Sequence, residues 1–75
     1  MVYDREEIVL TRRLEGAKAA EEGLHPDRCP HKYMDAFQWA QGYAGNWGTV
    51  EDCQLALDRY LEKRQYYTNK FKEGL

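Results

Sequence analysis

The chain has 75 residues, with 13 acidic against 11 basic side chains and a net charge of −2. That length holds one domain with a small core, and six Tyr, two Trp and two Phe at near-neutral charge exclude a disordered chain. No apolar run is long enough to span a bilayer, and the slight acidity is unlike a protein whose whole surface neutralises phosphate.

The opening residues MVYDREEIVL are charged and lack the apolar stretch of a secretory signal. The expectation is a cytoplasmic protein in which Cys29 and Cys53 stay as thiols. From about Asp4 to Glu22 the spacing predicts an amphipathic helix. Tyr3, Leu10, Leu14, Ala17 and Leu24 fall on one side, with Val9 and Ala20 beside them. Asp4, Glu6 and Glu7 suit the positive end of a helix, and Gly23 is a natural stop. Gly16 lies inside the helix at a cost of about 1 kcal/mol relative to Ala. With Ala17, Ala19 and Ala20 it makes a small-residue face for a bulky neighbour.

Next comes a loop, about Gly23 to Lys32, stiffened by Pro26 and Pro30, which also restrict His25 and Cys29 before them. A second helix is predicted from Tyr33 to about Ala44. Its wide apolar arc of Tyr33, Ala36, Phe37, Trp39, Ala40, Tyr43 and Ala44 marks it as the expected centre of the core. The turn Gly45-Asn46-Trp47-Gly48 ends it, with Trp47 expected to fold back on the core. Thr49 opens a third helix in a capping-box relation to Asp52, running to about Lys72. Cys53, Leu57, Tyr60, Tyr67 and Phe71 share its inner face, flanked by Val50, Ala56 and Leu61. The last turns are expected to project beyond the core. The fold class is therefore all-α: a small three-helix domain over 1–75, two short helices joined by a Pro/Cys loop plus a longer C-terminal helix over 49–75.

Between Leu14 and Tyr43 the ordered set Gly16, Ala17, Gly23, Cys29-Pro30, Trp39 and Gly42 resembles the ribosome modulation factor family. That family includes ribosome-hibernation factors and small relatives reported as ciprofloxacin-resistance proteins. The resemblance implies a helix-loop-helix core and a protein that binds the ribosome, blocking messenger docking on the small subunit. There are three departures: His31 stands where the family has tyrosine after Cys-Pro, the Cys-to-Trp interval is one residue shorter, and the hibernation factor is strongly basic.

His25, Cys29, His31 and Cys53 are residue types that bind zinc, but their spacing matches no paired C-x-x-C signature. The simpler expectation is a Cys29 that fills a corner, with exposed histidines and no metal. A nucleophilic Cys-His pair needs an orienting third group and a cleft, which a chain this small hardly offers. No phosphate-cradling glycine loop is present, so neither a cofactor nor catalysis is expected.

A binding surface is the better candidate. Arg59, Lys63, Tyr66 and Lys70 share one helical face, basic groups interleaved with a ring that can stack on an unpaired base. Arg12 and Arg13, with Lys18, are expected to extend it. Phe37, Trp39, Tyr43 and Trp47 are expected in the core, yet the ten aromatics of the chain exceed what a three-helix core readily hides, and an exposed remainder would mark a protein-binding patch or a homodimer interface. The expected function is non-catalytic binding to the ribosome or a structured RNA. The alternative is a protein-binding adaptor or inhibitor, of the accessory or phage-encoded kind, that keeps the fold without RNA.

Overall fold

The computed structural model describes residues 5–73, with side chains from Arg5 through Tyr66. Three α-helices are joined by short connections: α1 Arg5–Glu21, α2 Tyr33–Tyr43 and α3 Val50–Glu73, with a 3₁₀ turn at Pro26–Arg28 between the first two. The fold is all-α, and each helix lies within two residues of its expected span. Tyr3 and Asp4 lie outside the described residues, and the side chains of Tyr67, Lys70, Phe71 and Lys72 outside the described side chains.

The helix ends follow local chemistry. After α1, the Gly23 amide donates to Ala20 O and the Leu24 amide to Ala19 O, with Gly23 at φ 78°. This is a Schellman stop, which needs a residue free of Cβ at that dihedral. The same pattern closes α2, where Gly45 donates to Gly42 O and Asn46 to Gln41 O. At the start of α3 the Asp52 amide donates to Thr49 Oγ1, while Asp52 Oδ2 accepts from the Thr49 amide at 3.0 Å. That reciprocal pair is the expected capping box.

The centre of the structure is α1, not α2. Helices α2 and α3 each pack on α1 and have little contact with one another. Two adjacent stripes of α1 serve them. Leu10, Leu14 and Ala17 meet Val50, Cys53 and Leu57 of α3, and this cluster is the core. Gly16 meets α2. The wide apolar arc of α2 is therefore only half used: Trp39 is buried and Ala36 and Tyr43 are half-buried, while Tyr33, Phe37, Ala40 and Ala44 remain exposed. Periodicity identified an apolar helix, but it could not count the neighbours available to cover it.

Helices α1 and α2 cross at van der Waals limits. A Cβ built on Gly16 would lie 1.9 Å from Trp39 O, and one built on Gly42 would lie 1.9 Å from Arg13 O. Each glycine thus admits the backbone of the opposite helix, which accounts for the mid-helix Gly16 despite its poor propensity. Trp39, only 4% exposed, stacks on Tyr43 with ring centroids 5.2 Å apart beside this crossing.

The two helices run in broadly the same direction. Asp35 near the start of α2 lies by Arg12, whereas Tyr43 at its end donates to Leu24 O beyond the end of α1. The loop is consequently a return strap lying back along α1, and not a corner that reverses the chain. Helix α3 runs opposite to α1: Val50 and Ala17 share the core cluster, and Arg64 pairs with Glu7. At about 1.5 Å per residue the 24 residues of α3 outrun the 17 of α1, so its last turns extend past the first turn of α1.

Candidate binding surfaces

The proline-cysteine strap holds its chemistry-bearing side chains apart. His25 Nδ1 accepts from the Asp27 amide at 3.2 Å and so caps the 3₁₀ turn, its ring exposed. The Cys29 thiol donates to His31 O at 3.7 Å and is half-buried; it is not the core filler expected. That place belongs to Cys53, which is buried. His31 is not the exposed histidine expected either. Its Nε2 lies 2.6 Å from Glu15 Oε2, with the side chain mostly covered. Glu15 also receives Arg12 at 3.1 Å. The contact between His31 and Glu15 pins the returning strap to the middle of α1. Among the described residues no three His, Cys, Asp or Glu side chains gather as metal ligands do.

Cys53 is a poor nucleophile by its surroundings. Burial pushes its thiol pKa up, the nearby Asp52 adds to this, and the Arg13 guanidinium opposes it only in part. Since the thiolate is the reactive form, this environment favours an inert thiol. The thiol is directed at Trp47 O, 3.7 Å away.

Arg12 and Arg13 are occupied inside the fold. Arg13 Nε donates to Gln38 Oε1 at 2.9 Å, and its guanidinium carbon lies 3.8 Å from the centroid of the Trp47 ring. Burial lowers the Arg13 pKa from its usual value, opposed by Cys53. Trp47 is half exposed; its ring meets Arg13 and borders a small cavity with Leu10, Cys53 and Ala56 at the edge of the core. Arg12 is divided between Glu15 and Asp35. Both arginines hold α1 to its neighbours. Nothing in the local sequence signals the contacts to Asp35, Gln38 and Trp47, because these partners lie far along the chain.

Two outward surfaces remain. On α3, Arg59 and Lys63 are exposed, and Tyr66 beside them is also exposed. Lys70 would continue this row, but its side chain lies outside those described. Asp58 and Glu62, both exposed, interrupt the positive charge. The second surface is the outer side of α2, where Tyr33, Met34 and Phe37 are joined by exposed Ala40 and Ala44. Periodicity puts Tyr33, Phe37, Ala40 and Ala44 on the apolar arc of the core, and some aromatics are expected to stay exposed; which ones do is decided by the structure.

Of the motif residues, Gly16, Trp39 and Gly42 meet at the α1–α2 crossing, Gly23 ends α1, and Cys29-Pro30 sits in the strap. No family model, curated protein or solved structure matches the chain. The resemblance to the ribosome modulation factor family accordingly stands on these motif residues.

Proposed function

We propose that the chain is a small binding protein of the ribosome-modulation-factor kind, acting in the cytoplasm on the ribosome or a structured RNA through the outer face of α3. Its chemistry is recognition without bond-making. The observation that carries this reading is the exposed row Arg59, Lys63 and Tyr66 on a helix that outruns the core. Basic side chains one turn apart contact phosphates, and an exposed ring offers a stacking surface to an unpaired base. With Arg12 and Arg13 committed to Gln38, Glu15 and Asp35, the interface narrows from the two-helix patch to α3.

Affinity of this kind falls steeply as salt rises. Co-sedimentation with small ribosomal subunits across a salt series tests it. The double variant Arg59→Glu with Lys63→Glu should leave the pellet at salt concentrations where the parent remains in it. Equal sedimentation of both would refute the assignment.

A second reading is a protein-binding adaptor. It is supported by the slight acidity and by the uncharged outer side of α2. A pull-down from nuclease-treated lysate separates the two: ribosomal particles favour the first, and one enriched protein without rRNA favours the second.

A further inference from the structure

A recess lies at the end of the molecule where α1 stops and α3 begins. It is a cavity of about 480 Å³, open to solvent and separate from both outward surfaces. Ala17 and Ala20 of α1 and Gly42 of α2 form its apolar part. The helix crossing requires Gly42, where a Cβ would lie 1.9 Å from Arg13 O, and the neighbouring alanines are too small to fill the space. Tyr43 also lines the recess and is held twice, by its stack on Trp39 and its bond to Leu24 O. The cavity is therefore formed before anything enters it.

Two carboxylates line the same cavity from different helices, Glu21 of α1 and Glu51 of α3. No basic side chain lines it with them, and neither has an ion-pair partner among the described residues. Lys18, one turn before Glu21, is exposed and pairs with neither. Glu21 is also the last residue of α1, where the negative helix end disfavours a carboxylate. The chain leaves this charge uncompensated, and a cation from outside would relieve it.

We infer that this cavity binds an arginine-bearing segment of a partner protein, the side-chain stem on Ala17 and Ala20 and the guanidinium at Glu21 and Glu51. An apolar floor beside two carboxylates matches a side chain with a methylene stem and a cationic head. Arginine suits it better than lysine, because its planar fork can serve two carboxylates at once. A metal ion fits poorly: it wants several oxygens closing on one point, and among the described residues no such group gathers. Nucleic acid is repelled by the same two charges. The volume falls within the roughly 300–1,000 Å³ of ligand sites, which leaves room for the residues flanking the cation. This site goes beyond the α3 reading and does not rest on it.

Titration calorimetry of the intact chain with a capped glycine-serine peptide carrying two arginines tests this. The parent should bind the peptide and ignore its counterpart with glutamine in place of both arginines. Glu21→Gln with Glu51→Gln should weaken binding by at least about tenfold, since charge-assisted contacts are lost. Ala20→Leu keeps every charge but fills the recess, and should weaken binding by a similar factor. Glu22→Gln removes one carboxylate outside the cavity and should change affinity by less than about twofold at physiological salt. Circular dichroism of each variant confirms that the helices persist. A parent that does not bind the peptide overturns the proposal, as does binding that survives the double substitution or Ala20→Leu. An equal loss in Glu22→Gln would reveal diffuse attraction only, and arginine amide binding as tightly as the peptide would reveal a small-amine site; either result also overturns it. Because none of these residues belongs to the exposed α3 row, failure here leaves the ribosome reading standing.

Discussion

The guanidinium of Arg13 lies over the ring of Trp47 at 3.8 Å, sandwiched between α1 and the turn that leads into α3. The same side chain donates to Gln38 on α2. One cation therefore ties α1 to α2 and to the turn that leads into α3. With no large side chain among the described residues wholly withdrawn from solvent, that bracing matters more than it would in a larger core.

Replacing Arg13 with methionine keeps much of the stem but removes the cation–π contact and the bond to Gln38. Together these contribute about 1–3 kcal/mol. The melting temperature should fall, and acrylamide should quench more of the tryptophan emission as Trp47 loosens, while buried Trp39 stays sheltered. Unchanged quenching with an unchanged melting curve would show that the contact contributes nothing.

Gly16→Ala and Gly42→Ala pit two effects against each other. Alanine gains about 1 kcal/mol in helix propensity, yet each new methyl would stand 1.9 Å from a backbone carbonyl oxygen of the facing helix. Backbone atoms of a packed helix cannot swing aside as a side chain does, so the helices must separate, at about 1–3 kcal/mol or more. Both variants should be less stable than the parent in urea titrations. A stabilised variant would mean that the crossing is looser than described.

Tyr33→Gly should act in the opposite sense. The ring is almost wholly exposed, so little packing is lost, and glycine accepts φ 59° without strain. Allowing for the extra freedom of the unfolded chain, the gain is about 0.5–1 kcal/mol. Thermal unfolding should shift upward by a few degrees. A downward shift would argue that Tyr33 packs on something.

Cys53 predicts a pH dependence. Its folded pKa is raised, chiefly by burial, so the folded state holds the proton more tightly than the unfolded state. The stability associated with this group is complete below the thiol's ordinary value of 9.0 and is lost as pH rises through the folded value. Stability should therefore fall above about pH 9, and Cys53→Ala should flatten that decline relative to the parent. In thiol-labelling kinetics at neutral pH, half-buried Cys29 should react well before Cys53.

The local elements were legible in the order of residues: three helices, the glycine stops at Gly23 and Gly45, and the Thr49–Asp52 cap. Each depends on residues within about four positions, where propensity, dihedral preference and capping are decided. Tertiary structure alone decided which helix is central and which side chains are left for partners. Arg13 is claimed by Gln38 across 25 positions, Glu15 by His31 across 16, and Glu7 by Arg64 across 57. These pairings follow from the direction in which the strap returns the chain, which no local pattern encodes. The apolar arc of α2 was legible as apolar; that half of it faces outward was not, because burial depends on how many neighbours arrive.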